Sequence, residues 1–249
     1  MGKCVHLISS HRRLKKTMKN SKMLLVASAI TIAAASQAVI FTDPTGDVNV
    51  PGSPWPHLDI TSVEVTNTDT SISFKYTVNG DLVATNWGKH LVVIRRAGAV
   101  DNTGYTLPDA WNRRASLSGG GNAFIGSWVD APSNNQQNWT FDGTTWNQIN
   151  TVSNNIQGPN MVTLTASLAD LGITLGETIT FDVFTTGGGG SPGNPGDTAV
   201  DSLTGASPTA WDQDITLQGL TYNVEAVPEP ATMVVLGVAA AAALRRRKK

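Results

Sequence analysis

Cysteine is almost missing from this chain. Cys4 is the sole example in 249 residues, and it falls in an N-terminal segment that reads as removable. Without a second thiol there can be no disulfide framework, and an exported domain would carry neither a thiol nucleophile nor cysteine-ligated zinc. Histidine is nearly as scarce. Beyond the N-terminal segment there are His57 and His90, which form no His-x-x-x-His metal pair; His90, in GKHLVVI, is expected at a sheet edge. Sustained helical periodicity is absent from the middle of the chain, and the two apolar runs, MLLVASAITIAAA and ATMVVLGVAAAAAL, both fall short of the ~20 residues that a membrane-spanning helix needs. The glycine-rich stretch TTGGGGSPGNPGD (185–197) has no Gly-Lys-Ser/Thr and no following helix. It is expected to form a long flexible loop between late strands, not a phosphate cradle.

Charge is also low, at 15% of residues, and unevenly placed. Seven basic residues lie in the first 22 positions and five form Arg245 to Lys249, so residues 39–227 keep six basic against 18 acidic residues, a net of −12. Such a surface is ill suited to nucleic acid, whose phosphates need cations. The basic N-terminus, the first apolar run and SQA, with Ser36 and Ala38 flanking a cleavage point, have the layout of an export signal. Residues 1–38 are therefore expected to be removed, with Met18 as the expected true start and Val39 as the first mature residue.

Period-2 alternation fills what remains. In SISFKYTV, Ile72, Phe74, Tyr76 and Val78 fall on one face and Ser71, Ser73, Lys75 and Thr77 on the other, as a half-buried strand requires. LDITSVEV, KHLVVIRR, NAFIGSWV, NWTF, TWNQI, MVTLTASL, TITFDVFTT and DITLQGLTYNV are further strands. The Asp-Gly of FDG suits a hairpin turn, and SLADLG predicts one helical turn capped by Ser167 and stopped by Gly172. The expected fold is all-β: one antiparallel β-sandwich over 39–226, jelly-roll or immunoglobulin-like, with short hydrophobic helices at both ends of the precursor.

Three sets of residues could carry function. Asp43 and Asp47 of DPTGD, Asp59, and Asp197 and Asp201 of GDTAVDSL offer hard oxygen ligands suited to calcium; the competing reading makes them turn residues on an acidic surface. Among seven tryptophans, Trp128 and Trp146 sit inside alternating strands and are expected in the core. Trp55, Trp87 and Trp111 lie near loops with polar neighbours, where an indole face can stack on a sugar ring. Carboxylate pairs could serve a glycosidase, but 18 acidic residues make some pairing inevitable, so no catalytic residue is assigned and no enzyme is expected.

The third set is at the C-terminus. VPEP, an apolar run and RRRKK resemble in this order the PEP-CTERM sorting signal of exported bacterial proteins, which takes in residues 227–249 here. The resemblance implies a Gram-negative host and an exosortase that recognises Pro228, Glu229 and Pro230. It also implies transient anchoring in the inner membrane, then delivery to the envelope, surface or extracellular polysaccharide matrix. The segments DPTGD, LDITSVEV, SISFKYTV, LADLGITLGETITFDVFTT and DTAVDSL resemble the sandwich domains of family 9 carbohydrate-binding modules and DOMON-like proteins. In that group the fold often binds sugars, and some members bind calcium or haem; Met161 and the two histidines form no pattern that pairs them for haem. The expectation is an exported, non-catalytic, carbohydrate-binding sandwich, with a purely structural or adhesive matrix protein as the alternative and a polysaccharide-acting enzyme behind both.

Overall fold

The computed structural model of the chain describes residues 38–227, apart from 86, 102–110, 130–134, 154, 157 and 189–194, together with Gly237. The expected export segment up to Gln37, the second apolar run apart from Gly237 and the Pro228–Pro230 triplet lie outside the described residues. Among the described residues no helix is long and apolar enough to cross a membrane.

In chain order the elements are β1 (Val39–Thr42), β2 (Ile60–Asn67), β3 (Ser71–Val78), β4 (Lys89–Arg95), β5 (Ala115–Leu117), β6 (Ala123–Trp128), β7 (Asn135–Phe141), β8 (Trp146–Ser153), β9 (Asn155–Ile156) and β10 (Met161–Ser167). Then come a one-turn helix α1 (Leu168–Leu171), β11 (Thr178–Thr186), β12 (Ala199–Ser202), β13 (Ile215–Leu217) and β14 (Leu220–Asn223). One antiparallel sheet runs β1-β2-β3-β10-β9, and a second runs β12-β11-β4-β6-β7-β8, with β14 sharing the edge of β11 with β12. The two pack face to face as a sandwich.

The alternation read in β3 is what joins the sheets. Ile72, Phe74, Tyr76 and Val78 meet Val92, Ile94, Ile125, Phe181 and Val183 of the second sheet in one buried cluster. Each such side chain contributes about 1.5–3 kcal/mol on burial, so a core of this extent can hold the fold without a covalent staple. The Tyr76 hydroxyl donates to the Leu91 carbonyl at 2.6 Å, which satisfies the polar tip of a fully buried ring.

The second sheet is covered on both faces. Leu91, Val93, Phe124 and Phe184 point away from the sandwich interior into a separate cluster with Ala115, Leu117, Ile215 and Leu217. The last four belong to a parallel β5–β13 pair. Continuous burial along β4 follows from this, and so does a correction: β4 lies between β11 and β6, so His90 is fully buried in the middle of a sheet, not at its edge.

Local signals behave as chemistry dictates. The Ser167 hydroxyl accepts from the Ala169 N–H, and Gly172 ends α1 in the left-handed region at φ 66°. Asp142 of FDG accepts from the Thr144 and Thr145 N–H groups in the β7–β8 turn. DITLQGLTYNV differs from expectation by forming two strands. Gly219 sits at φ +81° with the Leu117 side chain 2.9 Å from where a Cβ would be, so the chain turns there and sends β13 to β5 and β14 to β11. Beyond β14 the chain lies along the β2–β3 turn: Asn67 Nδ2 donates to the Glu225 carbonyl, and the Val227 N–H to Asp69. Val39, Tyr222 and Glu225 line one small recess, so the domain begins and ends at the same place.

Candidate functional site

An acidic cluster closes one edge of the sandwich. Asp43 follows β1 directly, held by its N–H to the Thr61 carbonyl at 3.1 Å. Asp47 comes at the end of the DPTGD turn, where Gly46 takes φ +85°. Asp201 is on β12 of the opposite sheet, its carboxylate accepting from the Ile60 and Ser202 N–H groups. The three carboxylates each bring an oxygen to within 4.8 Å of the other two. Two oxygens bound to one calcium at 2.3–2.6 Å can be no more than about 5 Å apart, so the spacing fits shared ligation.

Asp59 completes the cluster from behind. Its Oδ2 accepts from the Gly46 N–H at 2.9 Å and from Asn79 Nδ2 at 3.0 Å, tying the turn to β2 and β3. The residue is 3% exposed, and its Oδ1 is buried with no hydrogen-bond partner. One oxygen of Asp43 and one of Asp47 are in the same condition. Buried, unpaired carboxylate oxygens are costly. Burial is the main cause that pushes the Asp43, Asp47 and Asp201 carboxyls above the ordinary carboxylate range, with mutual repulsion adding to it. A hard divalent cation would satisfy these oxygens and neutralise the repulsion together.

Asp197, expected in the same set, stands apart. It packs against Gly187 where β11 ends, its N–H donates to Gly188, and Arg113 is its nearest opposing charge. Asp182 was not anticipated. It is buried on β11, accepts from Thr204 and from the Val183 N–H, and burial pushes its carboxyl up to about 6.

The tryptophans fall into two groups. Trp55, Trp87 and Trp211 lean on Val48, Val50, Leu58 and Val200 beside the aspartate loop. The Trp55 and Trp87 rings meet edge to face at 5.1 Å, His57 stands 4.4 Å from Trp87, and Trp211 Nε1 donates to the Pro51 carbonyl. Residues 43–59 therefore carry aspartates at both ends and an indole, Trp55, between them. Trp111 belongs to the second group, on the outward face of β6–β8, with Trp128 at 5.7 Å and with Trp139 and Trp146. Trp128 and Trp146 are half-buried there, not in the interior expected from their strands. Both histidines are buried, and burial pushes them down to about 4 for His57 and about 3 for His90.

Among known proteins, residues 226–248 match the PEP-CTERM protein-sorting motif. The tail is thus a sorting signal, and it marks an exported protein handled by an exosortase. No curated protein matches the chain.

Proposed function

We propose that this exported protein acts without catalysis, as a calcium-bound sandwich that binds extracellular polysaccharide at the cell envelope or in the surrounding matrix. The observation that carries the reading is the meeting of Asp43, Asp47 and Asp201 at the junction of the two sheets, with a buried, unpartnered oxygen on each of the first two. In a domain without disulfides, a cation there would fasten β1 to β12 and order the loop that brings Trp55 to Trp87. Half-exposed indoles at the loop and on the outward face of the second sheet supply apolar surfaces for sugar rings. The sorting motif supports an extracellular setting, and the resemblance to family 9 modules points the same way.

The test is a broad glycan array probed with the purified protein, with calcium and with EDTA. Binding that weakens in EDTA is expected. Absence of binding in both conditions would leave only a structural role in the matrix, and release of reducing ends from any polysaccharide would contradict the non-catalytic reading.

A further inference from the structure

The outward face of β6, β7 and β8 gathers four tryptophans. None of the residues of these three adjacent strands, AFIGSW, NQQNWTF and WNQINTVS, is charged, although residues 39–227 carry a net charge of −12. The β5–β13 pair covers the second sheet over β4 and β11 and reaches Phe124 of β6. Beyond it, Gln148, Thr151 and Ser153 of β8 stand exposed.

Four indoles lie on this face in a fixed arrangement. Gln137 Oε1 accepts from Trp111 Nε1 at 2.9 Å and from Trp139 Nε1 at 3.2 Å. One amide oxygen thereby orients two rings and leaves the Gln137 amino group as an outward donor. Trp111 lies directly over Gly126, where a Cβ would come within 2.6 Å of its ring. Trp128 flanks Trp111, and Trp146 follows across Phe124. By register, Trp128 pairs with Asn135 at one end of the β6–β7 ladder, and Trp146 pairs with Phe141 at the other. At about 3.3 Å per residue the band between them is roughly 20 Å long.

We infer that this band is a binding surface for an uncharged, extended polysaccharide chain, its sugar rings stacked on Trp111, Trp128, Trp139 and Trp146 and its hydroxyls met by Gln137 and Gln148. The inference rests on the reading of the domain as a glycan-binding module and gives that reading a place and a ligand class. The three strands themselves offer indoles and amides and no charged side chain; the cations at their margin are Lys89, which pairs with Trp128 across the β4–β6 ladder, and the buried Arg113, 5.9 Å from the Trp111 ring. Indoles and amides match a polymer whose rings present C–H faces with hydroxyl rims. An acidic protein would also repel a polyanion over the rest of its surface.

The experiment measures affinity of the purified protein, in calcium, for a soluble β-glucan, a xylan, a mannan and, as the acidic counterpart, alginate. Trp139→Ala and Trp146→Ala are compared with Gln137→Glu and Gln148→Glu. The last two keep the fold: a carboxylate at position 137 still accepts from both indoles, and position 148 is exposed. Binding to at least one neutral polymer is expected, weakened about tenfold or more by each of the four substitutions, the scale of a central anchor lost from an interface, and weakened less by Trp55→Ala at the aspartate loop. If the neutral polymer binds but only Trp55→Ala weakens it, or if the four variants bind as the parent does, the surface assignment fails while the glycan reading stands. Binding confined to alginate overturns the ligand class, and binding to none of the polymers overturns the glycan reading with it.

Discussion

Calcium should raise the melting temperature of this protein, and by more at pH 8 than at pH 5.5. Two ionised carboxylates no more than 4.8 Å apart repel by at least about 3.5 kcal/mol at an effective dielectric of ~20. The metal-free cluster relieves that repulsion by keeping protons: burial first, then the charge of Asp47 on Asp43 and of Asp43 on Asp201, hold these two carboxyls above the ordinary carboxylate range. A carboxyl raised in the folded state favours folding below its unfolded value near 4, and this contribution is lost as pH climbs through the raised value. In EDTA the cluster therefore weakens the fold progressively toward alkaline pH. Calcium displaces the protons and reverses the penalty. At a concentration a hundredfold above its Kd it stabilises by about 2.7 kcal/mol. With each kcal/mol worth roughly 2–4 °C in a domain of this size, Tm should rise by roughly 5–11 °C. Asp47→Asn, which removes one charge and at most a long 3.5 Å contact with Ser207, should raise Tm in EDTA and blunt the calcium response. Differential scanning calorimetry at both pH values decides. The same Tm in calcium and EDTA at pH 8, or a larger calcium effect at pH 5.5, would refute the reasoning.

Two further outcomes are expected. Gly126→Ala places a methyl against the Trp111 ring; overpacking of this kind costs about 1–3 kcal/mol, so Tm should drop by several degrees with a change in tryptophan fluorescence, whereas an unchanged Tm would mean that Trp111 does not rest on β6. Mass spectrometry of the surface protein should find a C-terminus near Pro228–Pro230 and an N-terminus at Val39; an intact RRRKK end would contradict processing of the tail.

The strands were legible wherever one face meets the core and the other meets solvent. β2, β3 and β10 alternate for that reason and lie where their patterns put them. β4 does not alternate, because the β5–β13 pair covers its second face. From sequence alone its continuous apolar run could not say where in the sheet it lies, and His90 was misplaced for that reason. β1, β5 and β12 are too short, at three or four residues, to display a period. In the candidate site, Asp43, Asp47, Asp59 and Asp201 were legible as a set because turn chemistry concentrates aspartate, but which of them meet depends on a contact between opposite sheets. The same limit separates Asp197 from the cluster and Trp111 from Trp55. The aromatic band left one signal in the sequence, a tryptophan in each of three charge-free strands, Trp128, Trp139 and Trp146, and its meaning depends on their being neighbours.

The recess shared by Val39, Tyr222 and Glu225 has a consequence for a chain held at both ends. A chain with an export signal ahead of Val39 and a sorting signal after Val227 would be tethered at both ends during secretion. Because the two tethers emerge side by side, the sandwich can close completely while both still hold it, like a purse drawn shut on its string. Cutting the tail would then release a finished domain, with no strand left to thread or repair afterwards.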